Sequence, residues 1–158
     1  MFPPNFITAE RIARQLDIGS KKRVLQQLGV MLASSSTDIS PEAVFEHLLE
    51  RERLGSTGLG HGIALPHARM PDLERAVGAF VQLRSGVDFD AVDDHPVDLA
   101  FGLLVPQEAT EEHLQLLAKL ASMFSNELLC EKLRSGEDEQ ELLQRIEAWD
   151  ASPPAEGA

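Results

Sequence analysis

Residues 97–106, VDLAFGLLVP, hold a single charged side chain in ten positions. A strand with one wet face alternates apolar and polar residues, so a run that is apolar almost throughout has to be covered on both faces. It is far too short to span a bilayer, which takes about 20 apolar residues. AVGAFVQLR (76–84) reads as a second strand. The chain therefore needs helices for two sides of a sheet.

It has them on either side of those strands. In SKKRVLQQLGVMLASS (20–35), Ser20 is placed to cap a helix whose Val24, Leu25, Leu28, Met31 and Leu32 recur on one face. SPEAVFEHLLERERLG (40–55) starts on Ser40 and Pro41, stops at Gly55, and buries Val44, Phe45, Leu48 and Leu49. TEEHLQLLAKLASMFS is a helix opened by Thr110, with Leu114, Leu117, Ala118, Ala121 and Phe124 as its predicted buried stripe. NELLCEKLR and DEQELLQRIEAW close the chain as two shorter helices, Asp138 and Glu141 having capping-box spacing in the second. Ile7–Leu16 forms a short N-terminal element with Thr8 placed to cap it. The order predicts an α/β sandwich, one domain over residues 1–150, followed by a disordered tail at 151–158 (ASPPAEGA).

Composition narrows the partners. With 26 acidic against 14 basic residues the net charge is −12, the wrong sign for a nucleic-acid surface. The single cysteine, Cys130, allows no internal disulfide and reads as a buried thiol in a leucine-rich helix. The N-terminus MFPPNFITAER lacks a basic segment followed by an apolar one, so no signal peptide is expected and the predicted location is cytoplasmic.

The stretch that asks for a function is GSTGLGHGIALPHAR (55–69). It is not a P-loop, because His61 and Gly62 stand where the lysine and hydroxyl belong. It is not a dinucleotide fingerprint either, since Ile63 replaces the third glycine. The five histidines include no zinc-binding helical pair, and no G-x-S-x-G elbow supports serine hydrolysis. Pro66 biases Leu65 toward extended backbone, so GIAL reads as a short strand delivering His67 at its end. A neutral imidazole attacks phosphorus unaided and passes the group on, and glycine amides could supply donors for phosphoryl oxygens.

With RAVGAFVQL, FDAVDDHPVDLAFGLLVP and EEHLQLLAKLA, the block RERLGSTGLGHGIALPHAR resembles the IIA domain of the bacterial phosphotransferase system, mannitol/fructose type, and within it the nitrogen-regulatory branch. The resemblance runs from about residue 7 to 147. It implies a mixed sheet of about five strands sandwiched between helices on both faces. It implies that His67 is the phosphoacceptor, modified on Nε2, that His113 is a second active-site histidine, and that Arg51 is a nearby arginine. His113 lies in the first turn of its helix, a position taken to carry no core packing, where the dipole favours a neutral ring. Arg51 could offset the charge of the phosphoryl group, with Arg53 as a competitor. Asp98 reads as structural.

The implied role is a phosphohistidine carrier with mainly regulatory work and no cofactor or metal. A nitrogen-type, HPr-like carrier would phosphorylate His67, and the phosphorylation state would control targets such as potassium-transport regulators and proteins of nitrogen or carbon metabolism. The alternatives are a fructose- or mannitol-specific IIA passing phosphate to a IIB partner, and a non-catalytic interaction module.

Overall fold

The computed structural model describes residues 2–151; Ala151, taken as the first residue of the tail, still belongs to the last helix, and 152–158 lie outside the described residues. In chain order come a 3-10 turn (Ala9–Arg11), β1 (Ile12–Leu16), α1 (Lys21–Ala33), α2 (Pro41–Leu54), β2 (Gly58–Gly60), β3 (Ile63–Ala64), β4 (His67–Met70), β5 (Val77–Val87), β6 (Val97–Pro106), α3 (Thr110–Phe124), α4 (Glu127–Ser135) and α5 (Glu139–Ala151). The sheet has six strands, ordered β1-β5-β6-β3-β2, with β4 also paired to β6. It is mixed: β5 runs antiparallel to β6, while β3 and β4 run parallel to it.

The apolar run at 97–106 is β6, and it is covered on both faces. Leu99, Phe101, Leu103 and Val105 join a core with α3, α4, α5 and the N-terminal segment. Ala100 and Leu104 join a second core with α1 and α2. The period-two alternation of a strand thus feeds two layers of helices from one stretch of chain. No helix among the described residues is long and apolar enough to cross a membrane.

The helix starts follow their capping chemistry. Ser20 Oγ accepts from Arg23 N at 3.2 Å and Ser40 Oγ from Ala43 N at 3.1 Å. Asp138 Oδ1 accepts from Glu141 N at 2.8 Å. Thr110 opens α3, but no side chain caps that helix. Two expectations are corrected. Thr8 precedes the 3-10 turn but its side chain makes no cap hydrogen bond, and the second half of Ile7–Leu16 is the edge strand β1, paired parallel to β5. In α3 the buried residues are His113, Leu116, Leu120, Met123 and Phe124, one position round from the predicted stripe, and Leu114 is 63% exposed.

Glu52 is a polar node between α1, α2 and the glycine segment. Buried in the last turn of α2, it accepts from Thr57 N at 2.8 Å and Thr57 Oγ1 at 2.7 Å. Lys21 Nζ, at the start of α1, lies 3.0 Å from Glu52 Oε2, the oxygen that also accepts from Thr57 N. Removing the carboxylate leaves buried donors unpaired, so Glu52→Ala should lose about 2–3 kcal/mol of stability. The exposed Glu46→Ala should stay within about 0.5 kcal/mol in the same denaturant titration.

Candidate functional site

The glycine segment folds as a β-hairpin. Gly58 pairs with Ala64 and Gly60 with Ile63, leaving His61 and Gly62 as a two-residue turn. Both turn residues have positive φ, 58° at His61 and 83° at Gly62, the pattern that primed hairpin turns require. At Gly62 a Cβ would also stand 2.7 Å from Arg134 Nη2 and 2.9 Å from Asp98 Oδ1. That arginine holds Asp98 through two contacts of 2.9 Å and donates to the His61 carbonyl at 3.0 Å. Asp98 is structural, as its sequence position suggested. On the other side Asp93 Oδ2 accepts from His61 N at 2.8 Å.

Beyond the hairpin the chain leaves the ladder at Leu65–Pro66 and rejoins it as β4. Both segments keep one register along β6, Ile63 opposite Leu99 and His67 opposite Leu103. Leu103 N donates to the Pro66 carbonyl at 2.9 Å, so the interruption is itself tied down. His67 therefore opens a second short strand rather than ending the first.

His67 lies in a cleft of about 710 Å³ whose walls come from α2 (His47, Arg51, Arg53, Leu54), β4 (His67, Arg69) and α3 (His113). Its Nδ1 is 2.8 Å from the Leu65 carbonyl. A carbonyl only accepts, so Nδ1 carries the proton and Nε2 keeps the lone pair. The His113 ring stands edge-on, its centroid 5.4 Å from that of His67 with the planes at 80°. Burial pushes both imidazoles below the ordinary pKa, and the nearby Arg51 charge acts on both in the same direction. The Leu65 carbonyl works against this at His67 without reversing it.

The three residues singled out in the sequence thus share one cleft. Arg51, in the last turn of α2, also donates from Nη1 to the Gly55 carbonyl at 2.9 Å, and Arg53 lines the same wall. Two expectations need correction. His113 is only 8% exposed, so it is part of the packing rather than clear of it. None of the glycines lines the cleft; the positive φ of Gly60 and Gly62 belongs to the hairpin. Arg69 was missed. Its Nε donates to His113 Nδ1 at 3.2 Å, and the available signal was its place two residues past His67, on the same side of a strand.

A half-buried imidazole and a buried one, both held below the ordinary pKa, share a cleft with Arg51, Arg53 and Arg69, which makes this a class of site suited to an anion. Residues 5–149 match the family described as phosphoenolpyruvate-dependent sugar phosphotransferase system, EIIA 2, and the chain belongs to it. The nitrogen regulatory protein of Escherichia coli K12 is 44% identical over 135 residues, 85% of this chain and 82% of that relative. The crystal structure of the nitrogen regulatory protein IIA-Ntr of Neisseria meningitidis superposes with a TM-score of 0.84 at 42% identity, covering 89% of this chain and 96% of that one. The IIA mannitol domain of E. coli follows at a TM-score of 0.75 and 26% identity, over 89% of this chain and 98% of that one. The mannitol-type fold and the family resemblance read from the sequence are both borne out.

Because their folded pKa values are depressed, His67 and His113 should stay neutral after a free imidazole, near pH 6.5, has begun to protonate. The unfolded chain takes up those protons first, so stability should be lost as pH falls from that value through the folded ones. Proton NMR titration of the two rings checks this. A ring that titrates at or above the ordinary value would contradict it.

Proposed function

We propose that this chain is a cytoplasmic phosphoryl relay of the nitrogen-regulatory type, accepting a phosphoryl group on His67 Nε2 from an HPr-like carrier. The observation that carries the reading is the bond between His67 Nδ1 and the Leu65 carbonyl, beside a buried second histidine. It leaves Nε2 as the nucleophile without any activating base. In the transfer the new P–Nε2 bond forms as the bond from phosphorus to the carrier's histidine breaks, and the carrier's nitrogen takes back its electron pair. The ring of His67 keeps its Nδ1 proton, still donated to Leu65, which stabilises the phosphorylated imidazole. His113 supplies a donor to a phosphoryl oxygen, and Arg51 offsets part of the arriving charge, about −1.5 to −2.

The regulatory half of the reading rests on the surroundings of the cleft. Leu54, on its wall, is 85% exposed, and Leu114, beside His113, is 63% exposed. A target docking over these apolar side chains would cover the phosphoryl group or its absence. The targets we propose are proteins of potassium transport and of nitrogen or carbon metabolism, as the sequence resemblance implies.

Incubation with the charged carrier followed by intact mass should show one added phosphoryl group, stable in alkali and labile in acid. His67→Ala should gain none, and acceptance at the wild-type rate would refute the assignment. Onward transfer to a cysteine of a sugar-specific IIB partner would instead favour a transport role. For His113→Ala, transfer should slow by about 10²-fold, the scale of losing one preorganised donor, and its burial adds a stability loss of roughly 1–2 kcal/mol. Stopped-flow transfer kinetics and thermal unfolding read the two effects separately.

A further inference from the structure

Arg69 follows His67 by two residues on β4, and a strand puts such residues on the same side. Both line the cleft with His113. A guanidinium carries donors only and stays charged, so the Nδ1 of His113 that receives the Arg69 Nε–H at 3.2 Å has to hold a lone pair. The neutral ring then carries its single proton on Nε2. The two histidines are fixed as complements by partners of opposite polarity. A carbonyl holds the Nδ1 proton of His67, and a guanidinium excludes a proton from the Nδ1 of His113.

This matters once the phosphoryl group arrives. A dianion deposited on His67, one ring away, draws a second proton to His113. A charged His113 would grip the phosphoryl oxygens more tightly than a neutral one and hinder release. We propose that Arg69 is a positioning residue that keeps His113 a neutral Nε2–H donor throughout, so that transfer through His67 stays reversible. The inference rests on the relay reading for its consequence but not for the Arg69–His113 coupling itself. The charged and titratable groups around His113 are His67 and Arg69 from β4 and Arg51 from α2, with His47, Glu50 and Arg53 also in the α2 wall of the cleft and Glu111 and Glu112 on its own helix. Of these, only Arg69 hydrogen-bonds the ring among the contacts found at its side chain.

The test compares wild type, Arg69→Ala and Arg69→Lys by nitrogen-15 NMR of the imidazoles, in the free protein and after phosphorylation by the carrier. Arg69 is an exposed side chain, and the fold of each variant is checked by its backbone spectrum. In wild type the His113 Nδ1 should keep the shift of an unprotonated nitrogen in both forms at neutral pH. In Arg69→Ala it should gain a proton on phosphorylation, and His113 should titrate higher in the free protein as well. Return transfer, in which the P–Nε2 bond of His67 breaks and a bond to the carrier's histidine forms, should slow on the order of tenfold. That is less than the ~10² expected for losing a donor outright. Arg69→Lys, still a charged group with donors only, should restore most of both effects. An unchanged His113 spectrum and titration in Arg69→Ala would overturn the coupling, and an unchanged return rate would overturn its role in transfer. If wild type accepts no phosphoryl group while Arg69→Ala still shifts His113 in the free protein, the relay reading fails and the coupling stands.

Discussion

The position of His67 is set by β6, a strand buried on both faces. Three strands hydrogen-bond to it directly, and its alternate side chains enter two separate cores. His67 lies opposite Leu103, one of its fully buried residues, so the backbone that carries the imidazole is tied to the centre of the molecule. A reacting group needs its support held to a fraction of an ångström. Here that support comes from main-chain pairing to the least deformable strand, and the side-chain contacts only orient the ring.

In the glycine hairpin in front of His67 only the inner strand, β3, is held this way, with Ile63 and Ala64 buried opposite Leu99 and Ala100. The outer part, β2 and the turn, has few apolar side chains to bury. Ionic and polar contacts brace it instead. Glu52 fixes its entry through Thr57, with Lys21 as counter-charge. Arg134 fixes its tip through Asp98 and the His61 carbonyl. Asp98 is the only charge in the β6 run, and its bidentate partner on α4 explains why the run is broken there. The glycines permit the tight turn and the close approach of Arg134, which is a different job from holding phosphate.

Much of this was legible in the sequence. The serine caps, the doubly covered strand and the motif around His67 each rest on local chemistry that tertiary packing had no reason to override. The failures have identifiable causes. In α3, leucines, alanines, Met123 and Phe124 occupy two adjacent stripes, so apolar periodicity fits either one. The choice falls to the stripe that buries His113, a residue such a count leaves out. β1 was obscured because an edge strand of five residues with Arg14 and Gln15 in it has no clean alternation. Arg69 was hidden by Pro66: without knowing that the chain rejoins the sheet at His67, nothing shows that residues 67 and 69 share a side.

The electrostatics of the cleft run against those of the molecule. The chain carries a net charge of −12, yet Arg51, Arg53 and Arg69 gather where the two imidazoles lie. Cations near a histidine oppose its protonation, and burial does the same, so both influences keep the pair neutral before any phosphoryl group arrives. In the proposed relay the same cations would face a dianion on His67 and become attractive. Burial alone would hold the rings neutral but would penalise the dianion. Arginines alone would attract the dianion without fixing which ring nitrogen is free. The fixed Nδ1 partners of the two histidines supply that last distinction: Leu65 leaves the lone pair of His67 on Nε2, the atom the proposed relay uses to attack, and Arg69 leaves the proton of a neutral His113 on Nε2, the atom it would use to donate.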